Sequence, residues 1–102
     1  GYNANYPMPP GTRYAAWGKA LESGLKRIKA YGPDALVVSL GVDTFKEDPI
    51  SFFKLNSADF KTYGARIGKL KLPTLFVMEG GYAIEAIGVN TVNVLEGFED
   101  AA

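Results

Sequence analysis

The 102-residue sequence contains no histidine and no cysteine. Without cysteine it can form no disulfide framework, and this composition agrees with a reducing, cytoplasmic location. Without histidine it lacks the side chain that most often titrates near neutral pH. A site formed by these residues alone therefore lacks the usual metal ligands and the usual general base.

The sequence also has no excess of either charge, since eleven Lys and Arg residues balance eleven Asp and Glu residues. A balanced chain offers no basic footprint for nucleic acid or for an anionic membrane. No apolar run approaches the length of a membrane span, and no signal peptide is visible. We therefore expect one globular domain with no nucleic-acid partner and no membrane partner. Because the first residue is Gly1 rather than methionine, we also expect that a preceding segment has been removed.

Helical and strand-like segments alternate along the chain. Residues 1–11 are rich in proline and predict an extended arm. Beyond the arm, periodic apolar residues predict helices, and two short continuous apolar runs predict strands that are covered on both faces. The predicted elements are a helix from an N-cap at Thr12 to about Tyr31, a strand over 35–40, a helix from a cap at Ser57 through Leu70, a strand over 74–78, and a helix carrying Ile84 to Phe98.

A strand, a helix and a second strand at this spacing form a right-handed crossover with parallel strands. The predicted fold class is therefore α/β, a parallel sheet with flanking helices over residues 12–102. Two such strands leave sheet edges and apolar faces open. We expect either a complementary N-terminal half or a homodimer that buries at least about 1,000 Å². The candidate contact residues are Trp17, Leu21, Ile87, Thr91 and Val94.

Two glycine-containing turns follow the predicted strands. Asp43 comes just after Gly41, and Tyr82 comes just after Gly80 and Gly81. Ligands of open α/β sheets bind at the carboxyl ends of the strands, so a carboxylate and a phenol at one such edge predict a site. A simpler interpretation makes Asp43 a loop cap, Tyr82 a packed aromatic residue and Gly80-Gly81 a strand-to-helix turn. That turn would also suit phosphate binding at a helix N-terminus, although it lacks the spacing of a nucleotide fingerprint.

The order of several motifs resembles the C-terminal part of the zinc-dependent histone deacetylase superfamily, in particular its bacterial acetylpolyamine amidohydrolases. The resemblance covers essentially the whole chain. It implies part of the arginase–deacetylase fold, a parallel sheet with helices on both faces, and hydrolysis of an acetyl amide on a lysine-like or polyamine amine. The motifs are Asn3-x-Asn5-x-Pro7-Met8-Pro9-Pro10-Gly11-Thr12, Gly32-Pro33-Asp34 through Leu40-Gly41-x-Asp43, Asp48-Pro49, Leu72-Pro73-Thr74 and Glu79-Gly80-Gly81-Tyr82.

The resemblance also implies roles for individual residues. Asp43 matches an aspartate that holds the family's zinc, and Tyr82 matches the tyrosine whose hydroxyl stabilises the oxyanion. Gly80 and Gly81 would let the backbone bend so that the phenol points into the substrate channel, and Met8 would border its mouth. Asp48-Pro49 is interpreted as a structural turn.

The family's Asp-x-His ligand pair and its two neighbouring histidines are absent from this sequence. One carboxylate does not hold zinc tightly. We therefore expect the chain alone to bind no zinc and to be inactive. The sequence leaves open whether it is completed by other residues of a deacetylase or acts as a non-catalytic binding or assembly module.

Overall fold

The structure is a computed structural model that describes residues 2–102, and Gly1 of the predicted arm lies outside the described residues. Three helices and two strands follow one another in the order that the sequence predicts. No helix among residues 2–102 combines the length and the apolar composition that a membrane crossing requires. The elements are α1 (Tyr14–Tyr31), β1 (Leu36–Leu40), α2 (Ser57–Gly68), β2 (Thr74–Met78) and α3 (Ile87–Ala101).

The two strands form a parallel sheet in which Leu40 lies opposite Met78. Alternate side chains of the strands, such as Phe76, pack into the core that the helices form. On the other face of the sheet, Val37 is 66% exposed and Leu75 is 59% exposed. The predicted parallel sheet with flanking helices is confirmed. However, the helices among residues 2–102 cover one face, so the predicted burial of both faces is not achieved by these residues.

Glycines bring α2 and α3 close together. A Cβ placed on Gly64 would overlap the carbonyl oxygen of Val94, and one placed on Gly97 would overlap that of Lys61. Val94 is fully buried in this contact. Val94 therefore belongs to the core of the chain, and its proposed role as a partner contact is wrong. The exposed apolar side chains of α3 are Val89, Val92 and Leu95.

The first helix begins later than predicted. The hydroxyl of Thr12 donates a hydrogen bond to the carbonyl oxygen of Pro9 at 2.6 Å. Thr12 therefore closes the turn at the end of the arm, and Arg13 occupies the N-cap position of α1. The helix ends as predicted, because Gly32 adopts a left-handed conformation with φ of 73° and its N–H donates to the carbonyl of Ile28.

The second helix is capped one residue before the predicted Ser57. Its N-cap is Asn56, whose backbone N–H donates to the carboxylate of Asp59 at 2.7 Å. This contact belongs to the capping-box pattern, in which the third helical residue reaches back to the cap. The helix ends at Gly68, and turn bonds carry the chain through Leu70.

The third helix begins at Ile87, well after the Gly80-Gly81 turn. A turn precedes it, closed by the N–H of Ala86 donating to the carbonyl of Ala83 at 2.8 Å. Ile84 therefore lies outside the helix and is exposed. Because the glycines do not form a helix N-terminus, the phosphate-binding interpretation loses its structural basis.

Candidate functional site

The two glycine-containing turns lie side by side at one edge of the sheet. Beyond the strands, the N–H of Glu79 donates to the carbonyl of Leu40 at 2.7 Å, and the N–H of Val42 donates to the carbonyl of Gly80 at 2.8 Å. These bonds continue the parallel pairing of β1 and β2 into the turns. Asp43 and Tyr82 therefore follow neighbouring strands at the same carboxyl edge, as the sequence predicts.

The carboxylate of Asp43 is enclosed by glycine backbone. A Cβ on Gly41 would lie 2.8 Å from Oδ1 of Asp43, and a Cβ on Gly80 would overlap Oδ2. A Cβ on Gly81 would lie 2.6 Å from Cγ2 of the buried Val42. A side chain at position 41 or 80 would therefore have to displace the Asp43 carboxylate, and one at position 81 would have to displace the Val42 methyl group. The substrate-binding role of Gly80 and Gly81 stays a prediction.

Asp43 is suited to supply one ligand to a metal ion. Carboxylate oxygen is an established zinc ligand, and the half-buried Asp43 is held at the sheet edge where ligands bind. Within residues 2–102, no cluster of three or more carboxylate, imidazole or thiolate side chains has an arrangement that could hold a metal ion. A zinc site that includes Asp43 therefore requires ligands from outside the described residues.

Tyr82 is held by its backbone, while its side chain is 50% exposed. Its N–H donates a hydrogen bond to Oδ2 of Asp48 at 2.7 Å. Asp48 is 6% exposed, and its other oxygen, Oδ1, accepts the N–H of Ile50 at 3.0 Å. The predicted turn at Asp48-Pro49 is confirmed by the bond to Ile50. The bond to Tyr82 was not predicted, because it joins residues 34 positions apart and the sequence carries no local signal for it.

Tyr63 lies in the core near Asp43. Burial raises the pKa of the Tyr63 phenol above its ordinary value of 10, and the carboxylate of Asp43 and the phenol of Tyr14 raise it further. Its ring packs against Trp17 and Phe60, with centroids 4.8 and 5.4 Å away. Tyr63 is therefore protonated at neutral pH, and it cannot replace the missing general base. In the sequence Tyr63 lies within the helix predicted from Ser57 through Leu70, with no signal that sets it near Asp43.

The arm is fastened to the loop that follows β1. The N–H of Gly11 donates to the carbonyl of Phe52 at 2.5 Å, and the N–H of Lys54 donates to the carbonyl of Thr12 at 2.8 Å. Met8 is half-buried, and among residues 2–102 no hydrogen bond joins it to the turns of the sheet edge. Its place at a substrate mouth stays a prediction.

Comparisons with known proteins agree with the motifs. Residues 1–98 match the family model of the histone deacetylase domain. Acetylpolyamine amidohydrolase 2 of Pseudomonas aeruginosa is 63% identical over 99 residues, and the acetylpolyamine amidohydrolase of Mycoplana ramosa is 59% identical over 97 residues. The crystal structure of acetylpolyamine aminohydrolase from Burkholderia pseudomallei matches with a TM-score of 0.94 and 40% identity.

These matches cover nearly all of this chain and a minor part of each relative. The share of this chain is 97% for the P. aeruginosa protein, 95% for the M. ramosa protein and 98% for the B. pseudomallei structure. The corresponding shares of the relatives are 29%, 28% and 29%. The fold is thus part of the arginase–deacetylase fold, and the chain belongs to the histone deacetylase family.

Proposed function

We propose that residues 1–102 are the C-terminal part of a zinc-dependent amidohydrolase that removes the acetyl group from an acetylated polyamine. The observation that carries this proposal is the position of Asp43 and Tyr82 on paired turns, joined by the Val42–Gly80 hydrogen bond. The substrate class follows from the P. aeruginosa and M. ramosa relatives, which are acetylpolyamine amidohydrolases. Acetyl-lysine is the related alternative substrate, and a cytoplasmic location remains a prediction from the cysteine-free composition.

In the proposed site, Asp43 supplies one carboxylate ligand to zinc. Zinc held there, with ligands from the remainder of the domain, would supply a Lewis acid for the acetyl carbonyl and for the attacking water. The hydroxyl of Tyr82 donates a hydrogen bond to the oxyanion that forms when the carbonyl is attacked. Gly80 and Gly81 shape the turn that presents the phenol, and Met8 borders the substrate entrance.

The same proposal makes residues 1–102 inactive on their own. Asp43 is the one zinc ligand that the proposal takes from this chain, which is too few to hold the metal tightly. The sequence also has no histidine that could transfer protons at the site. The missing groups would come from the remainder of the deacetylase domain, since the relatives are more than three times as long as the segment that matches them.

The exposed face of the sheet is the surface that this remainder would cover. Val37, Leu75 and Val77 are exposed there, on strands whose opposite face is already packed. Parallel strands this apolar occur almost only in sheets with both faces covered. A second copy of the chain would be the competing occupant, and it would give a homodimer.

A chimera tests the proposed chemistry. Residues 1–102 replace the matching segment of P. aeruginosa acetylpolyamine amidohydrolase 2, and hydrolysis of an acetylated diamine is measured together with bound zinc. The chimera is expected to be active. Tyr82→Phe should lower kcat by about 10²–10³-fold without changing the zinc content. Asp43→Asn should lower the zinc content.

The matched control is Tyr31→Phe, which removes a phenol hydroxyl from an exposed residue at the end of α1. An active chimera in which Tyr82→Phe changes nothing would overturn the assigned role of Tyr82. The isolated chain, assayed in parallel, should show neither stoichiometric zinc nor turnover. Sedimentation of the isolated chain, with and without the separately expressed remainder of the relative, distinguishes a complementary half from a homodimer or a free-standing binding module.

A further inference from the structure

We propose that Asp48 is a positioning residue for Tyr82. Its carboxylate fixes the backbone at Tyr82 and thereby sets where the phenol hydroxyl points. This inference rests on the proposed function, in which that hydroxyl stabilises the oxyanion. Nothing in the local sequence distinguishes Asp48 from an ordinary turn residue.

The carboxylate of Asp48 joins two segments that are remote in sequence. Oδ1 accepts the N–H of Ile50 and so forms a local turn, while Oδ2 accepts the N–H of Tyr82 at 2.7 Å. Pro49 lies between the turn residues and has no N–H that would compete for the carboxylate. Because Asp48 is buried, water has little access to either bond. A hydrogen bond to a charged acceptor is stronger than one between neutral groups.

The backbone is held on either side of Tyr82, because the carbonyl of Gly80 accepts the N–H of Val42 and the carbonyl of Ala83 accepts the N–H of Ala86, whereas Tyr82 itself is held by Asp48. This segment lies between the end of β2 and the start of α3, in a stretch without helix or strand structure. Gly80 and Gly81 precede it, and glycine gives the backbone access to more conformations than other residues have. The bond to Asp48 thus holds the chain at the residue that carries the phenol. Without this bond the phenol would occupy several positions, only some of which suit the oxyanion.

The chemistry at position 48 requires two acceptor atoms. Asparagine has nearly the same shape, yet it offers one carbonyl oxygen and one NH₂ donor. If its oxygen keeps the turn with Ile50, the NH₂ group faces the N–H of Tyr82, and two donors repel each other. Asp48→Asn therefore keeps at most one of the two bonds, so that either the anchor of Tyr82 or the turn that supports it is lost, while the packing changes very little.

The test uses the chimera described above. Asp48→Asn should lower kcat by about 10–100-fold with little change in KM, because misplacement of a catalytic group by about 1 Å has an effect of this order. Zinc content should stay the same. The matched control is Ser51→Ala, which breaks the bonds between the Ser51 hydroxyl and Phe53 in the same loop but does not touch Tyr82. This control should keep kcat within about twofold, since surface changes away from key contacts have small effects.

A double-mutant cycle separates positioning from general support of the fold. In a Tyr82→Phe background, Asp48→Asn should cause little further loss, because the hydroxyl that it positions is already absent. Equal losses of kcat in the parent and Tyr82→Phe backgrounds would overturn the inference. It would also be overturned if Asp48→Asn left kcat unchanged or no longer folded.

If Tyr82→Phe itself left kcat unchanged, the proposed function would fail. If Tyr82→Phe lowered kcat while Asp48→Asn did not, the role of Asp48 alone would fail.

Discussion

The carboxylate of Asp43 occupies the space beside Gly80 that a side chain at position 80 would need. A Cβ on Gly80 would lie 2.9 Å from Cγ of Asp43 and would overlap its Oδ2. The two residues belong to different turns that are joined by the hydrogen bond between Val42 and Gly80. The position of the proposed zinc ligand therefore depends on a glycine from the neighbouring turn.

Gly80→Ala in the chimera tests this dependence. The added methyl group should displace the Asp43 carboxylate and lower zinc affinity or kcat/KM by about 10–100-fold, the range observed when groups that orient metal ligands are changed. Bound zinc and deacetylation rate are the measurements. Gly88→Ala makes the same chemical change on α3, where a Cβ would have no neighbour within 4 Å, and it should leave both unchanged. Normal zinc binding together with an unchanged kcat/KM in Gly80→Ala would contradict the prediction.

The close contact of α2 with α3 predicts a stability effect at Gly97. A Cβ there would overlap the carbonyl oxygen of Lys61 and lie 2.9 Å from the N atom of Ala65. Gly97→Ala should therefore destabilise the fold by about 1–3 kcal/mol, because the helices must move apart. Denaturant unfolding of the chimera gives the change in free energy.

Gly88→Ala is again the control, since Gly88 lies in the same helix and faces open space. It should stabilise the fold by up to about 1 kcal/mol, because alanine favours helix more than glycine does. A Gly97→Ala variant that is as stable as Gly88→Ala would mean that the helices are less tightly packed than the structure shows.

The exposed sheet face predicts that a charged substitution there has different effects on the isolated chain and on the chimera. Val37→Lys replaces a side chain that is 66% exposed, so the isolated chain should lose little stability. In the chimera the same lysine would be buried without a partner, and folding or activity should be lost. Solubility, thermal unfolding and turnover are compared between the two forms. Ala16→Lys, at an exposed position of α1, is the control. An active Val37→Lys chimera would show that this face stays open.

The architecture was predictable from the sequence because its signals are local. The apolar run that ends at Leu40 and the Gly32 helix stop depend only on neighbouring residues, and the strand over Thr74–Met78 was placed at its observed bounds. Helix starts were less predictable, since the Thr12 hydroxyl can accept a backbone N–H as an N-cap or donate to a carbonyl, and in the fold it donates to the carbonyl of Pro9. The bond between Asp48 and Tyr82 had no sequence signal at all, because it exists only after the two loops have met.

The last prediction concerns Tyr63 and alkaline pH. Its pKa is raised in the folded chain by burial, with Asp43 and Tyr14 adding to the effect, whereas the unfolded chain keeps a value of about 10. Above pH 10 the unfolded state therefore loses this proton first, and the free energy of unfolding falls as pH rises. For one proton the slope reaches at most about 1.4 kcal/mol per pH unit. Well below pH 10 the Tyr63 phenol is protonated in both the folded and the unfolded state, so it does not change the free energy of unfolding with pH.

Tyr63→Phe should remove this part of the pH dependence. Denaturant unfolding of the chimera between pH 8 and pH 11 (about two units below and one unit above the tyrosine pKa) should show a shallower fall for the variant than for the parent. Tyr31→Phe, which changes an exposed phenol, should follow the parent curve. Equal slopes for the parent and Tyr63→Phe would mean that the Tyr63 phenol can ionise without unfolding, and that Asp43 and the core around it do not hold the phenol in its neutral form.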